Sequence, residues 1–319
     1  MSFSTAVKNE LSRVVTEGRL PQLAELSALV RTTGSINLIG MNKLAFTIVT
    51  ENPAIARKIF QLLKNCFEIN VEIQVNSHSG PKRTNLYQMY ISNEQGANQI
   101  LEEIGIVENL EGSIHIQEKI PANLLSKKES KRAYLRGVFL GCGSISDPQR
   151  MYHMEFTTTD LGYAQKLIKL LNSYEIPAKI IQRKNMHVVY IKDSEKIADV
   201  LNLTGAHNAL LQMESIKVNK QVRNDINRLV NCETANLSKT VDTAERQIES
   251  IDYIISTKGL DYLPENLQEI ARLRKTHFDL SLKELGEIMD KPLGKSGVNH
   301  RLRKIEAIAQ DLKEQLDKK

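Results

Sequence analysis

Two segments of this 319-residue chain, 109 positions apart, carry the same pattern. Set "AELSALVRTTGSI" (24–36) above "AYLRGVFLGCGSI" (133–145): Ala, Leu, Gly, Ser and Ile coincide, and Ala28 faces Gly137, Leu29 Val138 and Val30 Phe139. The match continues downstream. "LAFTIVTE" (44–51) stands opposite "HMEFTTTD" (153–160), and "ARKIFQLLKNCFEINVEI" (56–73) opposite "AQKLIKLLNSYEIPAKII" (164–181). "YQMYIS" (87–92) then stands opposite "HVVYIK" (187–192), with the offset reduced to 100 because the first copy has a longer hairpin loop, "NSHSGPKRTN". Periodicity alternates between strand-like and helical in the same order in both copies, and each closes on a short helix, near Ala97–Ile104 and Glu195–Leu201. A duplicated αββαββα unit accounts for this; a solenoid would repeat every ~20–50 residues.

The stretch "RGVFLGCGSIS" (136–146) admits three readings: a phosphate-binding turn, a thiol site or a packing face. A dinucleotide-binding loop has its strand before the glycines and its helix after them, and here the order is reversed. Cys142 falls at a helix C-terminus, whose partial negative charge disfavours a thiolate. Close packing of small residues is the default.

Apolar and charged fractions of 41% and 25% are those of an ordinary globular protein, and a net charge of +5 is compatible with nucleic acid without identifying it. The cysteines, Cys66, Cys142 and Cys232, are odd in number and dispersed, so no disulfide framework is implied. The seven histidines lack ligand spacing, and neither a metal nor another cofactor is expected. No signal-peptide pattern opens the chain and no apolar run approaches the ~20 residues of a membrane span, so a cytoplasmic location is expected.

"LSALVRTTG" and "LRGVFLGCG" resemble the paired helical motifs of LAGLIDADG homing endonucleases. The resemblance implies two helices packed along a pseudo-twofold axis and two saddle-shaped sheets able to lie in a DNA groove. In that family an acidic residue before each motif's final glycine holds the catalytic metals. The matching positions here are Thr33 and Cys142, and neither supplies the charged oxygen that magnesium prefers. Asp147 and Glu155 lie nearby, but their counterparts in the first copy are Leu38 and Phe46. The resemblance therefore implies a catalytically inactive domain.

Beyond Ser215 the repeat ends. A Pro- and Gly-free stretch predicts one or two helices, with Asn224, Asn227 and Asn231 forming a polar stripe beside Arg228. From 263 to 312 the signals sharpen. Pro264 opens a helix lined by Leu267, Ile270 and Leu273; Ser281 and Glu284 make a capping box before Leu282, Leu285 and Ile288 or Met289; "DKPLG" breaks that helix; and Ser296 can cap a third. These features predict a helix-turn-helix. Five Lys or Arg side chains and no acid lie between Asp290 and Glu306. With Val298, Leu302 and Ile305 inward, Asn299, His300 and Arg303 are expected to point outward with Arg301 on the flank. Arg and Asn pair bidentately with guanine and adenine edges. Lys295, Ser296 and Lys304 suit phosphates.

The combination, with the opening "MSFSTAVKNELSR", "RNDINRLVNCETAN" and "LSLKELGEIMDKPLGKSGVNHRLRKI", is similar to the bacterial WhiA family over nearly the whole chain. That resemblance implies a DNA-binding transcriptional regulator, tied to sporulation in some bacteria and to cell division or chromosome segregation in others. The expected fold is α+β. A LAGLIDADG-like tandem repeat fills 1–210, with copies near 20–110 and 128–210. A helical linker covers 211–256 and an all-α helix-turn-helix domain 257–319. Double-stranded DNA is the expected partner, at the nucleoid. A second DNA surface on the repeat would draw on Lys82 and Arg83, or on Lys127, Lys128, Lys131 and Arg132. The rival roles for the chain are a protein-interaction adaptor, with a partner bound through the repeat and DNA secondary, and a nuclease with an unrecognised carboxylate set.

Overall fold

The structure, a computed structural model, describes residues 1–77, 85–110, 113–117, 120 and 122–317. Its contacts divide into two units, Met1–Asn219 and Lys220–Lys319.

The first unit begins with α1 (Phe3–Leu11), capped by the Ser2 hydroxyl on the Thr5 amide. The first copy then runs α2 (Arg19–Thr33), β1 (Gly34–Gly40), β2 (Lys43–Thr50), α3 (Pro53–Phe67), β3 (Ile73–Ser77), β4 (Asn85–Ile91) and α4 (Ala97–Glu103). A hairpin absent from the sequence reading follows, β5 (Val107–Leu110) with β6 (Ser113–Ile116). The second copy repeats the order as α5 (Lys128–Cys142), β7 (Gly143–Ile145), β8 (Met154–Thr158), α6 (Leu161–Asn172), β9 (Lys179–Arg183), β10 (Met186–Ile191) and α7 (Ser194–Thr204). The αββαββα order is thus found twice. The sheets are equivalent, β1-β2-β4-β3 and β7-β8-β10-β9, antiparallel throughout. Local signals start the outer helices at matching places: Asn52 caps α3 ahead of Pro53, and Asp160 caps α6.

Helices α2 and α5 form the centre of this unit, and their buried residues are mostly small or aliphatic. Gly137 is required by the close approach. A Cβ there would meet the Glu25 carbonyl oxygen at 2.5 Å and the Ala28 Cβ at 2.8 Å. A Cβ on Gly141 would likewise overlap the Thr32 side chain, so the packing-face reading of the Gly-Cys-Gly segment holds.

One helix, α8 (His207–Lys258), spans the stretch read as a linker. Ala209 and Met213 belong to the first core, while Ile251 and Ile254 belong to the second. Asn224, Asn227, Arg228 and Asn231 are exposed, but so are Val222, Ile226, Leu229 and Val230, so exposure does not single out the polar stripe.

The second unit adds α9 (Glu265–Thr276), α10 (Leu282–Glu287) and α11 (Lys295–Asp317). Its core joins Leu267, Ile270 and Ala271 of α9, Leu285 and Met289, and Val298, Leu302, Ile305 and Ala309 of α11. Met289 is the buried member of the Ile288/Met289 pair; Ile288 is exposed. Pro264 is the residue before the first turn of α9, one position earlier than a first-turn proline.

Candidate nucleic-acid interface

The geometry of α11 follows from a turn that doubles back tightly. The Ser281 hydroxyl accepts from the Glu284 amide and the Glu284 carboxylate from the Ser281 amide, completing the capping box. These hydrogen bonds hold the Glu284 carboxyl below its usual range. After α10 the Leu293 amide donates to the Gly286 carbonyl at 3.0 Å, and a Cβ on Gly286 would overlap the Leu293 carbonyl oxygen. Only glycine admits that return of the chain. Helix α11 then starts at Lys295, with the Gly294 carbonyl accepting from Gly297 and Val298. Ser296 thus lies inside the first turn, where its own amide is already past the cap position. The expectation that Ser296 caps this helix is corrected.

Val298, Leu302 and Ile305 are buried, as their spacing predicts. Opposite them Ser296, His300, Arg303 and Lys304 are exposed, and so is Lys295 in the first turn. Asn299 is half-buried, nearer the flank than expected. Arg301 is also half-buried, and its Nη1 donates to the Asn266 carbonyl at 3.0 Å, tying α11 to the first turn of α9. Lys295, Arg303 and Lys304 make no hydrogen bond or ion pair with any described residue. Arg303 and Lys304, on the face away from the core, and Lys295, in the first turn, can meet phosphates or base edges without breaking a native contact.

The duplicated domain differs. On the outer face of the first sheet Ser35, Asn37, Thr47, Gln88 and Tyr90 are uncharged, by strand alternation and register. On the second, Glu155 lies in register with Tyr190 and Lys179. His153 stacks on Tyr190, and Arg183 reaches Glu155 at 3.4 Å. Of the basic residues expected to serve a second surface, Lys82 and Arg83 lie outside the described residues. Lys127 and Lys128 are exposed, Lys131 is half-buried, and the Arg132 Nε donates to the Leu203 carbonyl at 2.9 Å. They stand at the start of α5, roughly 20 Å of helix from β7.

At the ends of the motif helices both degenerate positions fold back onto their own helix. Thr33 Oγ1 donates to the Leu29 carbonyl at 2.7 Å and the Cys142 thiol to that of Val138 at 3.4 Å. Burial pushes the Cys142 thiol up to about 12, partly countered by the Lys8 ammonium. That ammonium, brought in by α1, puts positive charge where a nuclease would hold its metals. Glu155 is engaged by His153 and Arg183, and Asp147 accepts from the Gln149 amide.

Comparison with known proteins fits this geometry. Profiles described as "WhiA N-terminal LAGLIDADG-like domain", "WhiA LAGLIDADG-like domain" and "WhiA C-terminal HTH domain" match residues 21–107, 131–223 and 226–309. A protein of Clostridium acetobutylicum named "Probable cell division protein WhiA" is 49% identical over 315 residues, covering 99% of both chains.

This chain belongs to the WhiA family.

A second relative of the same name, from Thermoanaerobacter sp. (strain X514), is 50% identical over 98% of this chain and 99% of its own. Among solved structures, full-length DUF199/WhiA from Thermatoga maritima matches with a TM-score of 0.59 at 26% identity, covering 98% of this chain and 99% of that one. The WhiA architecture is thus a degenerate LAGLIDADG-like repeat followed by a helix-turn-helix. No helix among the described residues is long and apolar enough to cross a membrane.

Two groups escaped the sequence reading. Glu25, in the middle of α2, is fully buried and receives Arg136 Nε and Nη2 of α5 at 3.0 Å each. Lys58 of α3 approaches it at 3.5 Å. The signal was present in the alignment of the copies, where Glu25 stands opposite Tyr134 and Arg136 opposite Ser27. A charge at a helix-packing position demands a partner. The other is Arg274, buried in α9, whose Nη1 donates to the Leu280 carbonyl at 2.8 Å and organises the approach to α10. Burial lowers its pKa.

Proposed function

We propose that this chain is a sequence-specific DNA-binding transcriptional regulator linked to sporulation or to cell division and chromosome segregation. It acts on double-stranded DNA at the nucleoid, in the cytoplasm, and its LAGLIDADG-like domain is catalytically inactive. The observation that carries this reading is the unpartnered basic face of α11 behind a tight turn. In it, α11 enters the major groove with Asn299, His300 and Arg303 toward base edges. Lys295, Ser296 and Lys304 neutralise phosphates. Arg301, on the flank, holds α11 against α9 and reaches DNA only with its remaining donors. Each good bidentate base contact contributes ~1–3 kcal/mol of discrimination. Inactivity is supported by the self-bonded Thr33 and Cys142 side chains.

Selection from a genomic-fragment library at near-physiological salt tests the reading, with wild type run beside Asn299→Ala/Arg303→Ala. A sequence motif enriched by wild type and lost in the variant is expected. Broad enrichment that is unchanged in the variant contradicts it. The relatives' name, "Probable cell division protein WhiA", favours a second reading, an adaptor in which a protein partner of the repeat carries the effect. A division phenotype that survives loss of DNA binding in the same variant selects it.

A further inference from the structure

We propose that the first copy of the repeat holds a binding site for a small phosphate monoester, in a cavity between the α1–α2 turn and α3. The cavity has a volume of about 430 Å³, within the range of ~300–1,000 Å³ typical of small-molecule sites. The turn contributes Arg13 and Thr16 to its wall, and α3 contributes Arg57, Lys58, Gln61 and Asn65. Among the described residues no carboxylate lines it.

The charge balance behind the wall points to an anion. Lys58 is only 5% exposed, and its ammonium donates to the Val14 carbonyl at 2.6 Å and to Thr16 Oγ1 at 3.3 Å. The one carboxylate it reaches, Glu25, is already held by both Arg136 donors at 3.0 Å. Two buried cations thus share one buried anion, leaving a net positive charge at the cavity. Burial is costly for such a charge, and it lowers the Lys58 pKa. Arg13 and Arg57 add two exposed guanidiniums that bond to no described residue. On the opposite side of the same network, the cleft containing Arg132, Arg136 and His207 is also lined by Glu17 and Glu129. Cations there have acids in the wall beside them; on the Lys58 side the wall has none among the described residues, and Glu25 behind it is already paired with Arg136.

The two guanidiniums of Arg13 and Arg57 match the terminal oxygens of a phosphate monoester. The Lys58 ammonium behind them, already held by Val14, Thr16 and Glu25, adds charge rather than a contact. The amides of Gln61 and Asn65 are available to the group that carries it. Every lining residue belongs to a helix or to the α1–α2 turn, and none to a strand. The recess is therefore separate from the outer sheet faces, and its concave shape suits a small anion better than a duplex backbone.

The test uses the full chain at constant ionic strength and measures thermal denaturation and titration calorimetry. Inorganic phosphate, AMP and glucose 6-phosphate are compared with adenosine and glucose, in wild type, Arg57→Gln and Arg13→Gln. Both arginines are exposed, so each variant is expected to keep the ligand-free Tm of wild type. A saturable rise in Tm with a phosphorylated probe and none with its uncharged counterpart is expected. Binding should be roughly tenfold weaker in either variant, since a hydrogen bond to a charged group is worth about that factor or more. AMP alone or glucose 6-phosphate alone would identify the carrier group; phosphate alone would limit the site to the free ion. No saturable binding, or binding equal in the variants, overturns the proposal. So does a loss of DNA affinity in Arg57→Gln without phosphate binding in wild type, which would assign the basic wall to the duplex.

Discussion

In the duplicated domain Arg31, Arg132 and Arg136 each donate to protein acceptors, whereas Lys295, Arg303 and Lys304 of α11 donate to no described residue. A guanidinium that satisfies a buried carbonyl or carboxylate cannot neutralise a phosphate without breaking that bond. The count of basic residues in each region therefore says little about DNA; their partners say more. Arg136 holds the two copies of one fold together and Arg31 and Arg132 tie down neighbouring carbonyls, whereas Lys295, Arg303 and Lys304 are held ready for something outside the chain. Two exposed arginines of the first unit, Arg13 and Arg57, line a cavity on its helical side.

The sharpest way to break this comparison is Arg136→Ala. It leaves Glu25 fully buried with Lys58 as its remaining charged partner beside the Thr16 hydroxyl, and a broken buried pair costs ~3–5 kcal/mol. Chemical denaturation should show this loss, with a smaller loss for Glu25→Leu/Lys58→Met/Arg136→Met, because the triple variant leaves no orphaned buried charge. Equal losses would mean that the pair is not the link between the copies. Next in size is Gly286→Ala, whose methyl would overlap the Leu293 carbonyl oxygen. Overpacking of this kind costs ~1–3 kcal/mol, and calorimetry should show it together with weakened DNA binding. A smaller effect, ~1 kcal/mol by denaturation, is expected from Ser281→Ala, which removes the cap of α10.

The thiols should shift stability only at high pH. Burial raises Cys142 from 9.0 to about 12 and Cys66 to about 11. Unfolded thiols ionise near their ordinary value while the folded ones remain protonated, so the unfolded state binds fewer protons across that interval. Both thiols therefore favour the folded state fully below pH 9, and stability falls as pH rises from there toward 11–12. At pH 8 an alkylating reagent should label exposed Cys232 quickly, half-buried Cys142 slowly and buried Cys66 only on unfolding. Labelling of Cys142 as fast as that of Cys232 in the folded protein would contradict its raised pKa.

Local chemistry was legible in advance. The αββαββα order follows from periodicity, which is local; the capping box spans four residues; and the inward face of α11 follows from helical spacing. The small residues at 28 and 137 were legible because close backbone packing tolerates nothing larger. What escaped depends on approach in space. Glu25 and Arg136 are 111 residues apart, and Arg301 meets a carbonyl 35 residues away. Helical spacing put Arg301 on the flank but could not name its acceptor. The β5–β6 hairpin is too short for alternation to distinguish it from a loop. Nor could sequence tell the tied basic residues from the free ones, since Arg132 and Lys128 look alike until the Leu203 carbonyl is in view.

The most direct measurement is the salt dependence of affinity for a selected duplex, with Arg303→Ala/Lys304→Ala set against Lys179→Ala/Arg183→Ala. Each lost phosphate contact should lower the slope of log K against log salt by about 1. If α11 is the DNA surface, its variant loses affinity by tenfold or more, at ~1–3 kcal/mol per base contact, and its slope falls, while the sheet variant keeps the wild-type slope and affinity. A sheet variant that loses slope, with α11 unchanged, would contradict the account and move the DNA surface to the duplicated domain.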